Sequence, residues 1–488
     1  MTLTQALNTA QAIFNNTGKQ SAVVSNNIAN SSNADYTRRQ AMTTISADGA
    51  TVVQIARSAE PSLQRQLLAS TSADAAQQRL LTGLGDIQST IGGNDSETAP
   101  ATYLSNFRKA LQTYAASPNS NTTAQAAVTA AQDVANSLNQ STASVQTIRT
   151  NADKEIATTV GTLNSLLGQF QTANDAVKTA TGSGTDASNA LDQRDAVLKQ
   201  ISSIVGVKTV NRANGDMALY TSDGATLFET LPRAVTFTPT NGYSASSTGN
   251  SVYIDGVALA PGNGANTTAK GTLQALLQIR DVEAPTYQKQ LDEIGRGLVT
   301  MFSETNTTDG SKLPGLFTYT DSNGDSGETP TSATVIDGMA ASITVNPAVI
   351  TSAGGNPNLL RDGGINGTGY VNNTSGDAGY STQLDAYDTA MGTAVDFDPS
   401  AGVDSNSSIM DFASNSVGWV ESERSAASTA AENTAASSSR STEAYSNGTG
   451  VNLDEELTLM MDIEQSYKAG TKILSAVNDM LTALLQLN

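Results

Sequence analysis

The chain closes on GVNLDEELTLMMDIEQSYKAGTKILSAVNDMLTALLQLN, residues 450–488. Its apolar residues at Leu453, Met460, Ile463, Tyr467, Leu474, Val477, Leu481 and Leu484 recur in steps of three, four and seven. That spacing predicts one apolar stripe along a long helix, and a helix of this kind needs something to pack on. The other end of the chain supplies a match. Leu3, Leu7, Ala10, Phe14, Thr17, Ser21, Val24 and Ile28 alternate steps of four and three, a second heptad seam about 39 Å long at 1.5 Å per residue. Before Asp35 the only charged side chain is Lys19, whereas a solvated helix carries Glu and Lys on its outer positions. An uncharged polar face fits a helix with protein on several sides, where unpaired charge is costly.

Between these ends the patterning is nested. Residues 57–204 read as helical, with a break at Gly92-Gly93, a stop at Ser117-Pro118 and a long Ala-rich run from Thr122 to about Thr179. Ala-rich seams let helices approach closely and favour an elongated bundle. Residues 205–260 alternate short β-rich runs with Asn-Gly, Asp-Gly and Pro signals, which predicts a small sheet of hairpins. Helix returns at 272–304, kinked or split at Pro285. Residues 305–405, rich in Gly, Asp, Asn, Ser and Thr, read as a β-rich domain with long turns. An Ala/Ser-rich helix then runs from about 406 past Trp419 to Tyr445 and breaks at SNGTG. The expected fold is α+β and multidomain. A terminal coiled coil pairs 1–35 with 450–488, an elongated helical bundle rod spans 36–304 and 406–449 with a β-rich insertion at about 205–260, and 305–405 forms an outer β-rich domain.

Composition narrows the chemistry. Of 488 residues none is Cys or His, so there is no thiolate, no imidazole base and no ordinary zinc or haem site. A net charge of −20 disfavours nucleic acid and anionic membrane surfaces as partners. No run approaches 18 apolar residues, and the N-terminus lacks the basic and apolar regions of a cleaved signal peptide. The acidic stretch DSNGDSGE (321–328) places Gly at positions four and seven, and Ser332 at twelve, so it is a turn, not a calcium loop. Glu421 and Glu423 point to different helix faces, and GSGTDA and GNGAN lack the context of a phosphate loop. The Met460-Met461 pair reads as seam packing. No catalytic, cofactor or metal residues are expected.

Four strings carry a family resemblance: SNNIANSSNADYTRRQ (25–40), ALDQRDAVLKQISSIVGV (190–207), QIRDVEAPTYQKQLDEIGRGLV (278–299), and GVNLDEE (450–456) with the QSYKAG helix after it. Together, and in this order, they resemble the flagellar axial proteins, the rod, hook and hook-associated family. The YTRR and LDQRD segments resemble its hook-associated branch. The resemblance implies a structural protein at the junction of hook and filament, assembled from identical copies, secreted through the flagellum's own export route without a cleaved signal. It further implies contacts with hook protein and a second junction protein, and an export chaperone before assembly. The expected assembly interface is Leu3, Leu7, Phe14, Val24, Asn27, Ile28, Tyr36, Arg38, Leu453, Met460, Tyr467, Leu474, Leu481 and Leu484. Asp35 stands where the family motif has Gly, at a position where a left-handed turn would be strained. The alternatives are a hook or distal-rod protein and, from another class, a secreted adhesin whose β-rich centre binds glycans.

Overall fold

In the computed structural model, which describes residues 3–45, 51–321 and 323–486, the longest helices are two pairs and one spine. In chain order the helices are α1 (Leu3–Ala29), α2 (Pro61–Ser89), α3 (Pro100–Ala116), α4 (Asn121–Ser183), α5 (Ser188–Ile204), α6 (Thr272–Gln278), α7 (Ala284–Met301), α8 (Met339–Ser342), α9 (Leu359–Asp362), α10 (Thr382–Gly392), α11 (Ile409–Thr449) and α12 (Leu453–Gln486). The spine is α4, whose 63 residues span about 95 Å. Ser120 caps its N-terminus by accepting from the Thr123 N–H, and Gly184 in the left-handed conformation ends it.

α1 and α12 pair antiparallel, and so do α2 and α11. In the first pair Phe14 meets Tyr467 edge-on at 5.0 Å between ring centres. Gly470 sits so close to α1 that an added Cβ would lie 2.9 Å from Ile13 Cγ2. In the second pair Gln77 donates to the Ala427 carbonyl at 3.2 Å, and Gln88 to Glu421 at 2.7 Å. The α11 helix ends at Thr449, inside the predicted break at SNGTG, with Gly450 extended. Its Gly448 lies against Leu63 and Glu60, so glycine here serves close helix packing and not a turn.

The spine crosses two hydrophobic cores. Its N-terminal half shares one with α2, α3, α7, α11 and residues of the 305–405 segment such as Phe317, Met339, Leu384 and Phe397. That segment carries two-residue strand pairs between short helices. Its apolar side chains lie in the core it shares with the bundle. The C-terminal half of α4 shares the second core with α5, α6 and two antiparallel three-stranded sheets. The first sheet comprises β3 (Val207–Asn211), β4 (Met217–Thr221) and β5 (Thr226–Phe228), the second β6 (Val235–Thr236), β7 (Tyr253–Ile254) and β8 (Val257–Ala258). Ahead of α2 lies a hairpin outside the expected elements, β1 (Arg39–Ile45) against β2 (Thr51–Arg57), with Arg39 opposite Arg57.

Pro285 has its predicted effect in a specific form. It offers no N–H to the Asp281 carbonyl, and a π-turn at Ile279–Glu283 takes up the misfit between α6 and α7. The π-turn also aims the fully buried Arg280 at Asp153 (2.7 Å) and at the Asn250 carbonyl (2.7 Å). Arg149 grips the carbonyls of Ser244 (2.9 Å) and Ser247 (2.6 Å), so two arginines tie the second sheet's loop to the spine.

Candidate functional site

At the base of the terminal pair, three of the four motifs noted in the sequence meet in one polar network. Its centre is Asn27, which is fully buried. The Asn27 amide donates to the Arg39 carbonyl (2.8 Å) and to Glu456 Oε2 (3.0 Å). Its Oδ1 accepts from the Tyr36 hydroxyl (2.8 Å) and the Arg39 N–H (3.1 Å). Every polar atom of the amide is thus engaged, which no other side chain of that size and shape reproduces.

Glu456, the last residue of NLDEE, is equally buried and takes Arg38 Nε at 2.7 Å. Arg38 also reaches Glu455 at 2.8 Å, but that carboxylate is more than half exposed. An exposed pair contributes about 0–1 kcal/mol, whereas removing one partner of a buried pair costs roughly 3–5 kcal/mol. Glu456 is therefore the anchor and Glu455 an accessory. The Arg38 N–H donates to the Thr449 carbonyl at 2.8 Å, fixing the end of α11 to the same point.

The network continues into α5. Asp192 accepts from Arg39 (3.1 Å) on one oxygen and from Arg57 (2.7 Å) on the other. Arg57 also holds Asp195 and Thr37, each at 2.7 Å. The opposition of Arg39 and Arg57 in the β1–β2 hairpin delivers both guanidiniums to Asp192. Arg39 lies over the Tyr36 ring at 4.6 Å. Burial pulls the Arg57 pKa down, but Asp195 and Asp192 outweigh it and the net shift is upward. Burial, and then the Asp195 charge, push the neighbouring Tyr445 up. Asp192, Asp195 and Glu456 each answer a guanidinium, so none is free to act as a base. The arrangement holds elements together and offers no reacting group.

Above it, loop 30–37 bonds mainly to itself, as in Asn33 N–H to the Asn30 carbonyl (2.9 Å) and Tyr36 N–H to the Asn33 carbonyl (3.1 Å). It spans a cleft of about 500 Å3 lined by Gln64, Leu67, Asp195, Lys199 and Tyr445 among others. Asp35 avoids the left-handed region, and its N–H donates to Asn33 Oδ1 at 3.1 Å, so the missing glycine leaves no strain here.

The expected interface residues divide into covered and open sets. Val24 and Asn27 are buried; Leu3, Phe14, Ile28, Tyr36, Arg38 and Met460 are half-buried. Leu7, Leu453, Tyr467, Leu474 and Leu481 are exposed, Leu453 and Tyr467 at 46% and 52%. The side chain of Leu484 lies outside the described residues. On α12 the covered line is instead Glu456, Ile463, Gly470 and Val477, one residue in seven. On α1 it includes Ala10, Thr17 and Val24, with the same spacing. Intramolecular pairing therefore covers one edge of the stripe and leaves the rest bare. Apolarity alone misses Glu456 and Gly470, which are inside because one is paired and the other allows close approach. It also misses Arg57, an isolated cation at a strand end.

A family model described as "Flagellar hook-associated protein FlgK helical domain" matches residues 84–325, and one described as "Flagellar basal body rod FlgEFG protein C-terminal" matches 442–487. Flagellar hook-associated protein 1 of Salmonella typhimurium is 26% identical over 369 residues, covering 69% of this chain and 63% of its own length. That of Bacillus subtilis is 22% identical over 416 residues, covering 78% and 75%. That of Escherichia coli K12 is 25% identical over 342 residues, covering 66% and 57%. The chain thus spans under two thirds of the Salmonella and E. coli relatives. The flagellar hook junction protein FlgK from Burkholderia pseudomallei superposes with a TM-score of 0.43 at 20% identity, over 52% of this chain and 46% of that one. With the two family models in order along the sequence and the relatives consistent between them, the chain belongs to the flagellar hook-associated protein 1 family, a structural family and not an enzyme family.

Proposed function

We propose that this chain forms the junction between flagellar hook and filament by self-assembly of identical copies. The observation that carries the reading is the half-covered terminal pair. Leu457, Met461, Tyr467, Leu474 and Leu481 stay exposed on α12 after α1 has packed. Burying an apolar side chain of this size contributes roughly 1.5–3 kcal/mol relative to full exposure. A row of them along about 36 Å of helix drives association with neighbouring copies. The near absence of charge on α1 supports the same reading, since repeated copies would otherwise place like charges together.

On this reading the terminal segments 1–35 and 450–488 form the assembly domain. The bundle, 36–304 with 406–449, is the outer body carrying the insertion at about 205–260. Residues 305–405 form its far end. The polar network sets the direction in which the terminal helices leave the bundle. Neighbours are other copies, hook protein and a second junction protein; an export chaperone covers α12 beforehand, and the assembled site is extracellular.

Removing residues 453–488 from the chain in cells, followed by electron microscopy of their flagella, tests the reading. Hooks without attached filaments are expected. Normal, retained filaments would overturn it. Deleting 306–404 is a poor alternative, because Phe317, Met339 and Leu384 belong to the core of the bundle.

A further inference from the structure

A groove of about 480 Å3 lies between α2 and the first sheet, away from the polar network. Arg65, Lys208 and Lys270 line it together with Leu68, Ser72 and Gly206. Among the described residues none of the three cations makes an ion pair; only Lys208 has a partner, the Ser222 carbonyl. That is unusual in a chain with 46 acidic and 26 basic side chains. Ser72 is 1% exposed, yet its hydroxyl has no hydrogen-bond partner. A buried hydroxyl without a partner carries a desolvation cost that a ligand's oxygen relieves. A side chain at Gly206 would collide with Ser222 and Lys270, so glycine is what lets these lining residues close together. Val210 stands exposed at the rim.

We propose that this groove receives carboxylate side chains from a second copy of the chain, and that Glu432 and Glu443 of α11 supply them. The inference rests on the self-assembly reading and names a lateral contact within it. α2 is flanked by α11 on one side and by α5, α6 and β3 on another, so groove and acidic helix lie on different flanks of the same rod. Side-by-side rods related by a rotation bring one flank against the other in every copy. Glu432 and Glu443 are exposed, make no ion pair among the described residues, and are eleven residues apart, three turns along one face. Arg440 lies between them without pairing to either. Complementary charge fixes register in such contacts more than it adds affinity.

The absence of cysteine permits a direct test. Val210→Cys carrying a benzophenone label is introduced into the full chain, and flagella are isolated from cells in which filaments remain attached. Filament retention reports the junction reading, and photo-cross-linking reports this one. A covalent dimer whose adduct maps to α11 is expected. Arg65→Glu with Lys208→Glu and Lys270→Glu should lower its yield about tenfold or more, and adding Glu432→Lys with Glu443→Lys should restore it. Retained filaments with no dimer, an adduct to hook or filament protein, a dimer unaffected by the charge reversals, or no recovery in the combined variant would each overturn the inference.

Discussion

Replacing Glu456 by Gln leaves the shape of the side chain and removes its charge at the point where α12 meets the N-terminal loop. The wild-type carboxylate is fully buried and accepts from Arg38 Nε at 2.7 Å and Asn27 Nδ2 at 3.0 Å. A glutamine retains one oxygen, so its NH2 must face either the guanidinium or the Asn27 amide, donor against donor. Breaking one partner of a buried pair costs about 3–5 kcal/mol, and the surviving Arg38–Glu455 contact returns at most about 1 kcal/mol. The net loss expected is therefore about 2–4 kcal/mol, felt locally at the start of α12 and in loop 30–39. Hydrogen exchange on the purified chain reads this as protection lost in residues 27–39 and 453–463, with the α4 core unchanged. Arg38→Met in the same background completes a double-mutant cycle, and coupling above about 1.5 kcal/mol is expected. Coupling below about 0.5 kcal/mol, with exchange unchanged in both segments, would refute the claim that this pair anchors the helix.

Three further outcomes follow from the same structure. Asp192→Asn leaves Arg39 and Arg57 facing a neutral amide, and should lower the unfolding free energy by about 2–4 kcal/mol in urea titrations, less than Ala because one acceptor remains. Gly470→Ala improves helix propensity by about 1 kcal/mol but drives a methyl into Ile13, so the terminal pair should lose up to about 2 kcal/mol net, seen as faster exchange in α1. Asp292 is buried, and that burial pushes its carboxyl up to about 7 despite bonds from the Gly338 and Ala340 N–H groups and Gln288. Between about pH 4 and pH 7 the folded chain keeps a proton that the unfolded chain releases. Stability attributable to this group then falls as pH rises through that window, by up to about 4 kcal/mol, and is flat above it. Asp292→Asn should flatten the wild-type slope there, and an unchanged slope would contradict the assignment.

The sequence made the architecture legible wherever periodicity ran long. The heptads of 3–28 and 453–484 indicated the terminal pair, and the Ala-rich run from Thr122 indicated the spine. Local chemistry placed breaks only to within a few residues. The break expected at SNGTG falls at its last residue, where Gly450 is extended, while Gly448 stays helical against Leu63 and Glu60. The β1–β2 hairpin has only Asp48-Gly49 between its strands as a sequence signal. The polar network was visible only as separate motifs. Tyr36, Arg38 and Asn27 belong to one recognisable motif, but nothing in the spacing of Asp192, Glu456 and Arg57 says that they converge on it. Ion pairs between residues more than 100 positions apart leave no periodic trace.

The central claim, that neighbouring copies cover the bare stripe of α12, is tested most directly by accessibility at Leu481. This residue is 41% exposed in the single chain. In a chain without native cysteine, Leu481→Cys reports that one site to a maleimide. Rapid labelling of the purified chain, and protection of about a hundredfold or more in hooks that retain their filaments, are the results expected. Equal labelling of the free chain and of the assembled junction would contradict the account.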